Sequence, residues 1–405
     1  MKKVVIWGTG QYASYIFKDI LMDKCAFEGF VDNNIEKQNK LWENQYRIYS
    51  LEKSIELGID YYLISAMYHK EQILSQAQRL GIENKLIWYW HDGLSQYEFI
   101  NNTSYLKENI LLKIKIEKLQ SQVDNAPYEY GKSPVKIRPA KDLLENIIDK
   151  KCSLCRFGDG EFDIILNHER AWFQKCNVEM GDRLKKILNS NNENILIAIA
   201  DNYGSLDKYN DRAADVIRQY MTKEKRQEHM SLLALSREYY DAYVSRPYMI
   251  YKDKDKNATE IFKLYKKLFC DRNILIIEGE NTKTGVNNGL LDGAKSVKRI
   301  LCPDTNAYSV YDKILNKAIE SASSDDLILI TLGPTATILA YDLAMEGYQA
   351  IDFGQVDNEY EWFLRHATEK IVIEGKSVSE IAWYRIPEIQ IYDDKYETQI
   401  IAHVE

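Results

Sequence analysis

Cys155-Arg156-Phe157-Gly158-Asp159-Gly160-Glu161-Phe162 is the stretch from which the rest of the chain is read. Before it, Lys151-Cys152-Ser153-Leu154-Cys155 reads as a short strand; after it, Phe162-Asp163-Ile164-Ile165-Leu166 is apolar enough to lie against a core. The polar group therefore sits at the edge of an element. On an extended backbone, side chains two apart share a face, so the carboxylates of Asp159 and Glu161 converge. Unneutralised, they repel and raise each other's pKa; a shared cation removes the conflict. Mg²⁺ or Mn²⁺ suits the position, because such ions take oxygen ligands and are often held by one or two carboxylates plus phosphate oxygens. The spacing thus suggests a metal that grips a diphosphate, against the simpler alternative of a surface turn rich in Gly and Asp.

With 405 residues the chain is long enough for about two domains. Its 45% hydrophobic and 28% charged residues are an ordinary globular composition. A net charge of -8 argues against a general nucleic-acid binder, which needs a basic face. No apolar run approaches the ~18 residues of a membrane span. The start, Met1-Lys2-Lys3-Val4-Val5-Ile6-Trp7-Gly8, reads as a first strand and not as a signal peptide, so a cytoplasmic location is expected. Six cysteines do not make a disulfide framework, and Cys152 and Cys155 are expected as buried strand residues.

Residues 1–100 read as a Rossmann-like nucleotide or nucleotide-sugar binding domain. Val4-Val5-Ile6-Trp7 leads into Gly8-Thr9-Gly10-Gln11-Tyr12-Ala13, the G-x-G-x-x-A form of the dinucleotide fingerprint between a strand and a helix. Asp32 ends a second strand about 20 residues on, where the fingerprint expects a ribose-binding acid. Tyr61 to Ala66 gives a third strand and Glu71 to Leu80 a helix. Gly8, Gly10 and Phe30-Val31-Asp32-Asn33-Asn34 resemble the N-terminal domains attached to bacterial sugar acyltransferases and some glycan-modifying enzymes. His69 reads as a loop histidine.

Residues 101–140 read as a helical connector and linker. Leu106, Ile110, Leu111, Ile114, Ile116 and Leu119 form a helical stripe, a candidate homodimer contact, and Pro127, Pro134 and Pro139 mark the linker. From 141 to 405, apolar strands ending in polar loops recur: Ile195 to Ala200 before Asp201-Asn202-Tyr203-Gly204, Asn273 to Ile277 before Glu278-Gly279-Glu280, Leu327 to Leu332 before Gly333-Pro334-Thr335-Ala336-Thr337, and Gln349 to Phe353 before Gly354. Strand, loop and helix in alternation predict an α/β domain with a mostly parallel sheet and ligands at the strand ends. Gly333 and Thr335 open a helix that can take an anion, Lys283 and Asn288 lie in or beside a glycine-rich loop, and Arg246 stands on a loop stiffened by Pro247.

Arg156 to Glu161, then Gly333 to Thr337 with Tyr341-Asp342-Leu343, then Asp357-Asn358-Glu359-Tyr360-Glu361-Trp362, in this order, resemble the GT-D fold glycosyltransferases over roughly residues 141–370. These bacterial enzymes extend glycans, including those on serine-rich-repeat adhesins. The resemblance implies a GT-D-like domain in which Asp159 and Glu161 bind the metal and with it the diphosphate of a UDP-sugar, UDP-glucose being the family's type, with Arg246 and Asn288 on matching segments; Arg156, Lys283, Gly333 and Thr335 are the further donor-binding candidates. It also implies a role in activity for Glu361; in an inverting reaction Glu361 or Asp357 is then the expected acceptor of the proton from a glycan or glycoprotein hydroxyl. The chain departs from the family at Gln355, where a histidine is expected, and at Gly289, where an acid is expected. Two other readings follow from the same chain: an NAD-dependent nucleotide-sugar oxidoreductase run from Gly8, Gly10 and Asp32, and a non-catalytic glycan-assembly partner.

Overall fold

The computed structural model describes residues 2–10, 13–14, 16–17, 25–42, 45–65, 70–88, 104–168, 174–378 and 393–405; His69 lies outside them. The chain forms two compact units that divide between Gln120 and Ser121.

The first unit is a six-stranded sheet in the order β3-β4-β2-β1-β5-β6, made of β1 (Lys3–Trp7), β2 (Ala26–Val31), β3 (Leu41–Trp42), β4 (Tyr46–Tyr49), β5 (Tyr61–Ile64) and β6 (Leu86–Trp88). All pairings are parallel except β3 with β4. Alternate residues of β1 feed the two faces: Val4 and Ile6 pack with Phe30 and Leu63, while Val5 and Trp7 pack with Val31 and Tyr62. Both faces are thus buried, which explains the unbroken apolar run. The sequence shows three of these strands; β3, β4 and β6 are too short, at two to four residues, to stand out by pattern.

The expected linker is not one. The helix Ser104–Glu129 runs through Pro127, and β7 (Lys136–Arg138) follows. Proline costs a helix about 3 kcal/mol in its interior. Here it falls in the last turn, and the turn is held from outside: Glu129 takes a forked bond from Arg218 at 2.7 and 2.8 Å, and Asn125 accepts from Arg226 at 2.5 Å. Tertiary contacts override the local signal.

The second unit is built on a nine-stranded sheet, all parallel, in the order β15-β12-β11-β13-β14-β8-β9-β10-β7. The further strands are β8 (Ser153–Phe157), β9 (Ile195–Ile199), β10 (Glu238–Asp241), β11 (Asn273–Gly279), β12 (Ser296–Cys302), β13 (Leu327–Thr331), β14 (Gln349–Asp352) and β15 (Ile400–His403). From β8 the chain steps through β9 to β10 on one side, while β14 returns on the other. The order therefore switches between β8 and β14, and in an open parallel sheet the crevice outside the carboxyl ends at such a point is where ligands bind. Cys152 and Cys155 are buried in and beside β8, as expected. No helix among the described residues is long and apolar enough to cross a membrane.

Candidate active site

At the carboxyl end of β8 the backbone turns directly into the helix Asp159–Ile165, with Gly158 as its N-cap. Asp159-Gly160-Glu161 is therefore the first turn of a helix, and the expectation of an extended segment is corrected. Glu161 folds back to accept the Gly158 N–H at 2.7 Å, while Asp159 is exposed. A helix N-terminus favours both negative charges. Burial first, and then the charge of Asp352, push the Glu161 carboxyl up to about 7, with Asp159 adding to the rise and the Gly158 N–H and Arg156 opposing it. The two acids thus feel each other although their backbone does not align them.

Asp352, at the end of β14, is the partner that joins the two sides of the crevice. Arg156 donates to its carboxylate at 2.6 Å and its carbonyl at 2.8 Å, and to the Ser245 hydroxyl at 2.8 Å. The Thr337 hydroxyl has two acceptors for its one hydrogen, the other Asp352 oxygen at 3.0 Å and the Arg156 carbonyl at 2.9 Å. Arg156, expected to hold a ligand, instead spends its fork on protein groups because its side chain is only 16% exposed and faces a buried carboxylate. Gly354 is required beside it: φ is +57°, and a Cβ there would stand 2.1 Å from the Arg156 guanidinium. Of the two residues expected to open an anion site, Gly333 is exposed as the N-cap of the helix Pro334–Met345, whereas Thr335 turns inward. Thr335 is fully buried and donates to Gln174 at 3.2 Å, so its hydroxyl is engaged within the protein.

The Asp357-to-Trp362 motif lies on the helix Val356–Leu364, which leaves β14. Asp357 accepts from the Gly285 N–H and the Asn288 amide, each at 2.7 Å, and Glu361 accepts from Asn288 at 3.1 Å and Arg365 at 3.1 Å. Lys376 completes both, 2.7 Å from Asp357 and 2.9 Å from Glu361. Carboxylates so paired have few lone pairs left. Both carboxylates, expected as proton acceptors, are bonded to the loop after β11 in this structure. Asn288 belongs to this clamp too, and Lys283 reaches toward the Tyr396 ring, 5.9 Å from its centroid, on the β12 side and away from the switch point. The departures are accommodated locally. Gln355 accepts from Asn358 at 2.7 Å, and Gly289 adopts φ +73° beside Asp292.

Besides Lys376, four side chains escaped the sequence reading. Glu359 is fully buried and accepts the N–H groups of Tyr248 and Met249 at 2.8 and 2.9 Å, fixing the loop that carries Arg246. Lys370 is depressed to about 7 by burial and then by Arg246, with Arg212 adding to the effect and Glu359 and Asp159 opposing it. Arg212, Arg246 and Asp159 are thus close enough to Lys370 to act on its charge. Asp352 alone had a signal, as a polar residue ending the apolar Gln349-to-Ile351 run; the others become visible only once the strands are ordered.

Among the described residues no group of three His, Cys, Asp or Glu gathers as a metal cage. The donor set at the helix start, two carboxylates and no nitrogen or sulfur, nonetheless fits a hard divalent ion that completes its shell with phosphate and water.

In the first unit Gly8 turns with φ +108° and its N–H bonds Val31. Asp32 is fully buried, bonded by the Thr9 hydroxyl, the Asn34 N–H at 2.9 Å and Lys37 at 3.4 Å. Asp32, with Gly8 and Gly10 beside it, was expected to hold a ribose; its oxygens are spent on its own loop.

Residues 154–381 match the family model described as the glycosyltransferase GT-D fold. The chain belongs to the GT-D glycosyltransferases. Residues 1–88 match a second model, the N-terminal domain of C2185-like proteins. Two curated relatives are similar: a probable glycosyl transferase Gly of Streptococcus gordonii, 38% identical over 266 residues, and glycosyltransferase GlyD of Streptococcus pneumoniae serotype 4, 31% identical over 272 residues. The alignments take 64% and 67% of this chain but only 38% and 33% of the relatives, so the chain spans well under half their length. Among solved structures, one described as domain of unknown function 1792 with a distinct glycosyltransferase fold is 32% identical with a TM-score of 0.63, covering 71% of this chain and 98% of that one. A glycosyltransferase of the same domain type from Streptococcus sanguinis is equally similar, with 67% and 100% covered.

Proposed function

We propose that this GT-D protein is a metal-dependent cytoplasmic glycosyltransferase that moves a hexose, glucose in the first instance, from a UDP-sugar to a hydroxyl of a glycan or glycoprotein. The observation that carries the reading is the position of Asp159 and Glu161 in the first turn of a helix at the sheet's switch point. A divalent ion there supplies charge neutralisation to the departing diphosphate. The chain's own residues prepare that position. Gly158 N–H orients Glu161, Arg156 and Asp352 brace the two strand ends, and the helix start favours anionic ligands of the ion. Arg246, with Arg212 and Lys370, brings positive charge toward the same end of the sheet, suited to diphosphate oxygens.

Thermal unfolding with UDP or UDP-glucose, each with and without Mn²⁺, tests the reading. A rise that needs both nucleotide and metal, and that disappears in Asp159→Asn, supports it. A rise with nucleotide that is unchanged by metal and by Asp159→Asn sinks the metal-carboxylate assignment.

A further inference from the structure

The helix Val356–Leu364 stands between two loops, and its acids divide their bonds between them. Glu359 holds the loop after β10, whereas Asp357 and Glu361 hold the loop after β11 through Gly285 and Asn288. Two carboxylates that share one amide cannot be buried together at modest cost unless a cation lies between them. Lys376 is that cation, with a side chain 3% exposed between carboxylates 5% and 8% exposed. Its own segment is tied to both partners: Ser377 N–H donates to the Asn281 carbonyl at 2.6 Å, and the Trp362 indole donates to the Ile371 carbonyl at 2.8 Å.

We propose that Lys376 is a positioning residue of the transfer site. By neutralising Asp357 and Glu361 it locks residues 285–289 onto the helix that leaves β14, and so shapes the wall of the crevice next to the switch point. Glu361 acts through this clamp, by placing the loop, and not by receiving a proton. The inference rests on the donor-site reading above, and it makes Asn288, Glu361 and Lys376 one unit whose loss is felt in donor binding.

The test uses the full chain with UDP-glucose and Mn²⁺, following UDP release. Lys376→Met, Glu361→Gln and Asn288→Ala are each expected to raise the donor KM about tenfold with kcat within about threefold, and Glu361→Gln with Lys376→Met to be no worse than the poorer single variant. A general base would behave otherwise: Glu361→Gln would lower kcat by about 100-fold or more while Asn288→Ala left KM unchanged, and that result overturns the proposal. Should Lys376→Met fail to fold, the doubly neutral Glu361→Gln, Lys376→Gln chain and Asn288→Ala, which leaves the ion pair whole, carry the same comparison. Should the wild type release no UDP, the donor-site reading has failed, and the clamp is then judged by hydrogen exchange alone. The amides of Gly285 to Gly289 are expected to exchange at least about tenfold faster in the Lys376 variant, and unchanged rates overturn it.

Discussion

Arg156 and Asp352 show what one pair contributes to this site. The pair closes β8 against β14 at 2.6 Å with both side chains nearly buried, so removing one partner strands the other. Asp352→Asn is expected to destabilise the chain by about 3 kcal/mol or more, measured by urea unfolding, whereas a loss below about 1 kcal/mol would show the guanidinium to be solvated. Gly354→Ala should be damaging for a different reason, since its Cβ has no room beside Arg156 and its φ is positive. His229 gives a pH signature. It is buried, stacked on Phe162 at 4.1 Å, and its two ring nitrogens meet the hydroxyls of Tyr203 and Tyr220 at 3.1 and 3.2 Å. A neutral imidazole satisfies both, one nitrogen donating and the other accepting. Burial, then Lys225, lower its pKa from 6.5 to about 4, with Arg226 lowering it further and Asp163 and Asp159 opposing. Between those values the unfolded chain holds a proton that the folded chain lacks. Stability is therefore full above about pH 6.5 and lost toward pH 4, with a slope of up to about 1.4 kcal/mol per unit from this group. His229→Phe, which keeps the stack, should flatten that part of the curve between about pH 4.5 and 7; equal slopes in both proteins would contradict it.

At the scale of elements, the helix Val356–Leu364 acts as a two-sided fastener. Its motif reads in sequence as a run of acids suited to catalysis, yet successive acids point to different loops because a helix turns about 100° per residue. Glu359→Ala would leave the Tyr248 and Met249 N–H groups without their acceptor, a cost of about 1–3 kcal/mol for each buried group. Hydrogen exchange at those two amides is expected to accelerate at least about tenfold, and Glu359→Gln, which keeps a carbonyl oxygen, to fall between. The helix Ser104–Glu129 teaches the opposite lesson about local signals. Pro127 marks a break by every propensity rule, but the last turn is bonded to Arg218 and Arg226 and persists.

At the scale of the whole molecule, the sheet order places the Asp159 helix at the switch point and leaves the N-terminal fingerprint without its ribose acid, since Asp32 is enclosed by Thr9, Asn34 and Lys37. NAD is accordingly expected to give no rise in unfolding temperature, where a ligand at about 100 times its Kd would contribute about 2.7 kcal/mol; a clear rise with NAD alone would restore the cofactor reading. The alternation of apolar strand, polar loop and helix was legible in the sequence, and with it the parallel sheet and the family, because hydrophobic periodicity and glycine turns are properties of neighbouring residues. Which strand ends become neighbours was not, nor which charges are consumed on the way. Asp352 meets Arg156 across 196 positions, and Lys208 is held by Asp201 and Asp241 from two different strand ends. A charged side chain reads the same in sequence whether it awaits a ligand or a buried counter-ion. Only packing, which decides what is desolvated and which groups lie beside it, leaves Asp159 exposed at its helix start while it buries Asp32, Asp357 and Glu361 among protein donors.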